Sequence, residues 1–397
     1  MKNWNRCSLR DDIILISGQH LLSNEYNDSP VGIPYLTGPA DYSSGIINAT
    51  KFTESPKSMC KKGDILITVK GSGTGKSIIA DQAYCISRQL MAIRPKTWDP
   101  YFLWSAVTLH GEKYEKTSVG LIPGISRDDV LETPIYVPDI KEQLEISKRL
   151  SIWDRSIQLT ESLITAKHEH RKWLMQQLLT GKRRLPGFDR PWKTVHLGDV
   201  FTNRIETNRP DLALIAITGS NGVVSREDLV RRDTSSDDKS KYLRICPDDI
   251  GYNTMRMWQG VCGLSYIEGI VSPAYTIATP KDEVEGEFMA LLFKSLPVIH
   301  LFHRHSQGLV NDTLNLKWRH FAEIKVTIPE KKEQKAIAAV FQIADRELEL
   351  LRSQLDALRE QKKGLMQQLL TGKVRVPVTP AKAGVQLDNA GFPPSRE

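Results

Sequence analysis

No apolar stretch in this chain approaches a membrane span. The longest aliphatic run near its start is Ile13 to Ile16, against the roughly 18 or more apolar residues that cross a bilayer. Nor does a basic region followed by an apolar one mark a signal peptide. A soluble, cytoplasmic protein with no membrane partner is the expectation. Cysteine is scarce: Cys7, Cys60, Cys85, Cys246 and Cys262 make five in 397 residues, an odd number with no Cys-x-x-Cys pair. That argues against a disulfide framework and a zinc site, and for reduced, buried thiols. What the chain does have is length for two or three domains and an apolar content of 40 %, which excludes disorder throughout.

The net charge of +7 points to a polyanionic partner, and its location is more informative than its size. Residues 1–136 carry 15 basic and 14 acidic side chains, and residues 187–327 carry 17 and 18. The excess sits in 137–186, with 10 against 6, and in 328–377, with 10 against 7; the tail 378–397 balances at 2 and 2.

Those two basic segments are copies of each other. Leu174-Met175-Gln176-Gln177-Leu178-Leu179-Thr180-Gly181-Lys182 recurs unchanged as Leu365 to Lys373, an offset of 191, and 24 of the 50 positions in 137–186 match. Pro138, Glu142, Gln143, Asp154 and Arg155 return as Pro329, Glu333, Gln334, Asp345 and Arg346. The plan is therefore variable–repeat–variable–repeat. The domains are 1–136, 137–186, 187–327 and 328–377, with a tail, 378–397, rich in Pro, Ala and Gly and expected to lack fixed structure.

Each repeat reads as one long helix with a coiled-coil seam. In the second copy, steps of four and three give nine apolar positions of ten, among them Ile337, Phe341, Leu348, Leu355, Leu365 and Leu369. The first copy gives seven of ten, including Ile146, Leu150, Trp153, Ile157, Leu174 and Leu178; Thr160, Lys167 and Arg171 interrupt it, as Lys362 interrupts the second. Pro138 and Pro329 suit the helix starts, and Gly181 and Gly372 the left-handed ends. A helix over residues 142 to 179 would be about 57 Å long. The expected fold is α+β: two mixed α/β heads separated by two long helices that pack as an antiparallel coiled coil, with a pseudo-twofold internal duplication. The alternative is that each seam packs within its own half.

The heads combine short β-prone runs, such as Asp64–Lys70 and Ala274–Ala278, with one short helix each, near Tyr101–Leu109 and Glu287–Leu296. Strand-and-loop heads can present Arg, Lys, Asn and Gln to base edges. In the first head the candidates are Lys70, Ser72 and Lys76 on a glycine-rich turn. It resembles a Walker A loop but has Lys70 where the first glycine belongs, so no nucleotide site follows; phosphate contact competes with a purely structural turn. In the second head, Tyr252–Gly260 offers Asn253, Arg256 and Gln259, with Met255, Met257 and Trp258 as core in the competing reading. His303-Arg304-His305 suits phosphate contact, with Arg304 as the candidate, or a plain surface role better than metal, since no further ligands stand at recognisable spacing.

Two fragments imitate catalytic motifs. Asp99-Pro100-Tyr101-Phe102 lacks the second proline of the adenine-methyltransferase box, and no Gly-x-Gly turn opens a βαβ unit before it. Glu330-Lys331-Lys332 fits half of a nuclease metal site but falls at a helix start. No catalytic residue and no metal ligand is assigned.

The paired Gln-Gln-Leu-Leu-Thr-Gly-Lys helix ends, the Pro-x-x-x-Glu-Gln helix starts and the Trp-x4-Leu openings at Trp4 and Trp192 resemble the specificity (S) subunit of type I restriction-modification systems over nearly the full chain. The resemblance implies two target-recognition domains, each reading half of a split site on double-stranded DNA, held apart by two conserved helices. It also implies a subunit without catalytic activity or cofactor of its own. Two modification subunits would methylate adenine with S-adenosylmethionine, and two restriction subunits would add an ATP- and Mg-dependent nuclease. A stand-alone DNA adenine methyltransferase and a coiled-coil scaffold with no DNA role are the rival readings.

Overall fold

The computed structural model describes residues 4–43, 45–71, 73–111, 113–114, 124–219, 221–228, 238–310 and 313–377. Ser72 and the tail 378–397 lie outside them. The chain divides into two compact units, Met1–Ser162 with Arg352–Glu397, and Leu163–Leu351. Two continuous helices of 39 residues, Ile140–Leu178 and Lys331–Leu369, contribute to both.

In the first unit a four-stranded antiparallel sheet runs in the order Ile13–Ser17, Leu90–Pro95, Ile65–Thr68, Ser77–Ile79. A second sheet of four strands includes one parallel pair, Tyr84–Ile86 beside Ile33–Leu36. Helix Pro100–Leu109 follows the first sheet. Its sheet strand Ile65–Thr68 is buried at every position, as a central strand covered on both faces must be. The second unit repeats the topology: Phe201–Arg204, Tyr275–Pro280, Ile250–Asn253, Cys262–Leu264, then helices Gly286–Phe293 and Leu296–His305. A two-stranded ribbon closes each head onto its repeat, Asn5–Cys7 with Ile135–Val137 and Lys193–His196 with Lys325–Ile328.

The long helices begin and end where the sequence predicts. The Asp139 carboxylate accepts from the Glu142 N–H (3.0 Å), capping the first helix. Gly181 and Gly372 adopt φ of 68° and 69°, and the N–H groups of Arg183 and Val374 reach back to the carbonyls of Gln177 and Gln368, the Schellman arrangement that a left-handed glycine permits.

Within each unit the two helices run antiparallel. In the first unit Glu142, Asp154 and Glu161 pair with Arg375, Lys362 and Arg359, rising along one helix and falling along the other. In the second, Lys167, Arg171 and Arg184 pair with Glu347, Asp345 and Glu333. The three charged seam positions thus have partners: Lys362 meets Asp154, Lys167 meets Glu347 at 2.7 Å, and Arg171 makes a two-toothed contact with Asp345. Arg171 and Lys362 are the same position in the two repeats, as are Asp154 and Asp345. Each copy therefore supplies the cation to the other copy's carboxylate.

All twelve seam candidates are at least half-buried. Ile146, Leu150 and Leu369 belong to the first head's core with Phe102 and Leu103, and Leu178, Ile337 and Phe341 to the second head's core with Phe288 and Phe293. Leu348 and Leu355 are buried; Trp153, Ile157, Leu174 and Leu365 are half-buried. The helix ends therefore serve as core for the heads as much as for each other.

Candidate nucleic-acid interface

The Pro-x-x-x-Glu-Gln motif anchors each head. Gln143 accepts the Asp99 N–H (2.9 Å) and donates to the Pro138 carbonyl (2.9 Å); Gln334 does the same with Glu285 (2.8 Å) and Pro329 (2.8 Å). Glu142 takes Arg375 through both oxygens, at 2.7 and 2.5 Å, with the Trp4 indole N–H at 3.2 Å. Burial pushes the Glu142 carboxyl up, but Arg375, Trp4 and the Val376 N–H outweigh it and hold it below the usual carboxylate range. Glu333 takes Arg184, the counterpart of Arg375, at 2.6 and 2.7 Å.

From that anchored sheet the first head projects its glycine-rich turn, the connection from Ile65–Thr68 to Ser77–Ile79. The turn is closed by its own backbone: Thr74 N–H donates to Gly71, Gly75 to Thr68 and Lys76 to Gly73. A phosphate cradle needs such donors unpaired, so the Walker-like spelling has no Walker function among these residues. Gly71 and Gly75 have φ of 93° and 90°, and a Cβ on Gly75 would stand 2.7 Å from the Gly111 carbonyl oxygen. Lys70 and Lys76 are exposed. Lys76 also lines a cavity of about 930 Å³ beside Tyr101, Trp104 and Asp154.

The second head's candidates occupy the matching connection, from Ile250–Asn253 to Cys262–Leu264. Met257 is buried and Trp258 half-buried, its indole donating to the Met255 carbonyl (3.0 Å), so the core reading holds for these two. The Asn253 side-chain oxygen accepts the Met255 N–H (2.9 Å), which leaves its amide nitrogen as the donor for any base. Arg256 and Gln259 point to solvent. Helix Leu296–His305 packs against this turn, with Val298 and Phe302 inward and His303 edge-on to Trp258 at 5.9 Å. Arg304 is exposed on the same helix. His305 Nδ1 contacts the Leu301 carbonyl (2.9 Å), and no group of three potential metal ligands exists among the described residues.

Both turns are strapped alike. Ile125 N–H donates to the Val69 carbonyl (2.9 Å) in the first head and Leu316 N–H to Thr254 (2.8 Å) in the second, each one residue beyond the central strand. Residues singled out by unrelated motifs thus share one place in a repeated topology. Sequence reading missed His303 and Trp258 as neighbours, because a helix some forty residues downstream brings them together.

The catalytic look-alikes have structural roles. Asp99 caps helix Pro100–Leu109, accepting the Phe102 N–H (2.8 Å), and also bonds Ser147. Tyr101 bonds Asp154; burial and then that carboxylate push its hydroxyl far up. Glu330 pairs with Arg190 at 2.7 Å, and Lys331 donates to the Asp282 carbonyl.

The duplicated chain thus carries the same sheet, strap and outward loop in each unit, with different side chains on the loop. Residues 1–167 match the type I restriction modification DNA specificity domain. A Methanocaldococcus jannaschii protein assigned as the type I restriction enzyme MjaX specificity subunit is 30 % identical over 174 residues, 43 % of this chain and 41 % of that one. The chain thus matches less than half the length of that relative. The MjaVIII specificity subunit of the same organism is 22 % identical over 362 residues, covering 83 % of each. In fold, the S subunit of a type I restriction-modification system from M. genitalium gives a TM-score of 0.57 at 17 % identity, covering 93 % of this chain and 96 % of that one. A structure from work on complex assembly of the type I R-M system gives 0.60 at 14 %, covering 94 % and 99 %. Residues 1–167 are thus similar to the type I restriction modification DNA specificity domain, and most of the chain is similar to a specificity subunit. No helix among its described residues is long and apolar enough to cross a membrane.

Proposed function

We propose that this chain is the DNA-specificity subunit of a type I restriction-modification complex, without catalytic activity of its own, and that each head reads one half of a bipartite site on double-stranded DNA. The observation that carries this is the repeated loop: one position in two equivalent sheets, filled by Lys70 and Lys76 in one head and by Arg256 and Gln259, against which the helix carrying Arg304 packs, in the other. A constant frame with variable polar side chains is what independent reading of two half-sites requires.

The partners would be two modification subunits, holding S-adenosylmethionine, and two restriction subunits, using ATP and Mg. Seam residues such as Ile146 and Ile337 are buried in this chain and leave nothing for a partner to cover. Ile152 and Leu159, however, are exposed on the first long helix, and Ile343 and Leu350, identical at the offset of 191, on the second. Exposed apolar residues repeated in this way suit two copies of one partner. The test is to replace residues 187–327 by another head and map methylation with the cognate modification subunits. One half of the motif should change and the other stay; change in both halves overturns the reading. Calorimetry on the purified chain separates it from a stand-alone methyltransferase, which would bind S-adenosylmethionine unaided.

A further inference from the structure

Next to the second head's basic turn stands an apolar tip that none of the roles above uses. Leu309 is 101 % exposed and Val310 61 %. The tip is nevertheless held. Gln307 and Asn315 exchange backbone bonds at 2.9 and 2.8 Å, Thr313 bonds Val310 through both its N–H and its hydroxyl, and Gly308 sits at φ 150° with the Thr313 carbonyl oxygen 2.6 Å from where a Cβ would be. Its far leg is the strap that bonds Thr254, two residues from Arg256, and its near leg continues the helix that carries Arg304.

Covering this held leucine and the valine beside it would gain the burial that water denies them. The charge around it selects that partner. Residues 250–265 and 288–320, which build the turn, the helix, the tip and the strap, hold five Lys or Arg and four His against one acidic residue, whereas the whole head 187–327 has 17 basic and 18 acidic side chains. The one acidic residue among them, Asp312, lies outside the described residues; the head's other acids include Asp248, Asp249 and those from Asp282 to Glu287. An apolar point in a basic field fits a nucleic-acid duplex, whose phosphates take the charge while its base stack takes the point. The motif also recurs: Ser306-Gln307-Gly308-Leu309-Val310 matches Ser118-Val119-Gly120-Leu121-Ile122, ahead of the strap in each head. The first-head copy lies outside the described residues.

We propose that Leu309, supported by Val310, is a wedge that presses into the base stack of the half-site, so that this head reads the deformability of one base step as well as base edges. The inference rests on the DNA-reading role proposed above. Aliphatic wedges between base steps unstack and kink a duplex, at an energetic cost that depends on the step deformed.

The test uses the full chain assembled with its modification subunits on DNA carrying the motif found by methylation mapping. 2-Aminopurine is placed in turn at each position of the second half-site except the adenine that is methylated, whose extrusion by a modification subunit would itself raise the signal. Its fluorescence should rise severalfold at one step, and Leu309→Ser with Val310→Ser should abolish the rise and weaken binding about tenfold. Melting temperature should stay unchanged, since both side chains face water. Arg304→Ala should weaken binding yet keep the rise in whatever complex forms. A flat scan across the half-site, or a rise that persists in the double variant, overturns the wedge. So does a double variant that binds DNA normally but loses a modification subunit, which would make the tip a protein contact. Absence of salt-dependent, sequence-specific binding by the unaltered complex would instead overturn the DNA-reading role itself.

Discussion

Removing Arg375 should destabilise the first unit by an amount that follows from its geometry. Its guanidinium holds both oxygens of Glu142, whose side chain is 2 % exposed, while its own is 46 % exposed. Breaking a fully buried pair by deleting one partner costs about 3–5 kcal/mol. Here water reaches the arginine side, and the Trp4 and Val376 N–H groups still serve the carboxylate, so about 2 kcal/mol is the discounted expectation for Arg375→Ala. For a unit of roughly 200 residues that is about 4–8 °C in melting temperature, measured by scanning calorimetry on the full chain. Adding Glu142→Gln should restore much of the loss, because the stranded charge disappears. The sign with pH is fixed by the lowered carboxyl value of Glu142. Its contribution is fully present above the unfolded value of about 4.3 and is lost as pH falls through the lower folded one. The gap between native chain and Arg375→Ala should therefore be full at pH 7 and close in acid. A loss below about 0.5 kcal/mol, within the range of ordinary surface substitutions, or a gap that widens as pH falls, would refute the clamp.

Arg256→Ala and Lys76→Ala should each reduce the slope of log affinity against log salt by about one, reflecting one lost phosphate contact; an unchanged slope removes that residue from the interface. Ile152→Glu and Ile343→Glu should each release one modification subunit, read by native mass spectrometry, and the double variant both. Full occupancy in both single variants would rule out the exposed pairs as docking points. Inserting seven residues into both long helices adds about 10.5 Å of rise, and the unread spacer should grow by about three base pairs at 3.4 Å each. Methylation mapping that returns the original spacer would contradict the helices' role in setting it.

The long helices were open to reading because their signals are local: an apolar step of four and three from Ile337 to Leu369, proline at each start, and Gly181 and Gly372 at each end. Duplication was equally open, since it needs only comparison of the chain with itself. The polar interruptions were not. Lys167, Arg171 and Lys362 look like faults in a seam until their carboxylates arrive from the other repeat. Likewise Glu142 and Glu333 were visible as a motif, but their arginines lie 233 and 149 residues away.

The candidate interface divides in the same way. Composition alone singled out the glycine-rich turn and the segment around Arg256, because Gly, Lys and Arg in a loop after a strand carry their chemistry wherever the loop ends up. That the two turns are one position in a repeated sheet, that His303 stands against Trp258 on the helix packed over the second turn, and that Asp99 is a helix cap were decided by strand pairing and helix packing across tens of residues. Periodicity and turn chemistry act over a few residues and so are written in order along the chain. Hydrogen-bond partners, ion pairs and shared surfaces are chosen only when distant segments close on each other, and for this protein that closure decided which residues stand together on its recognition loops.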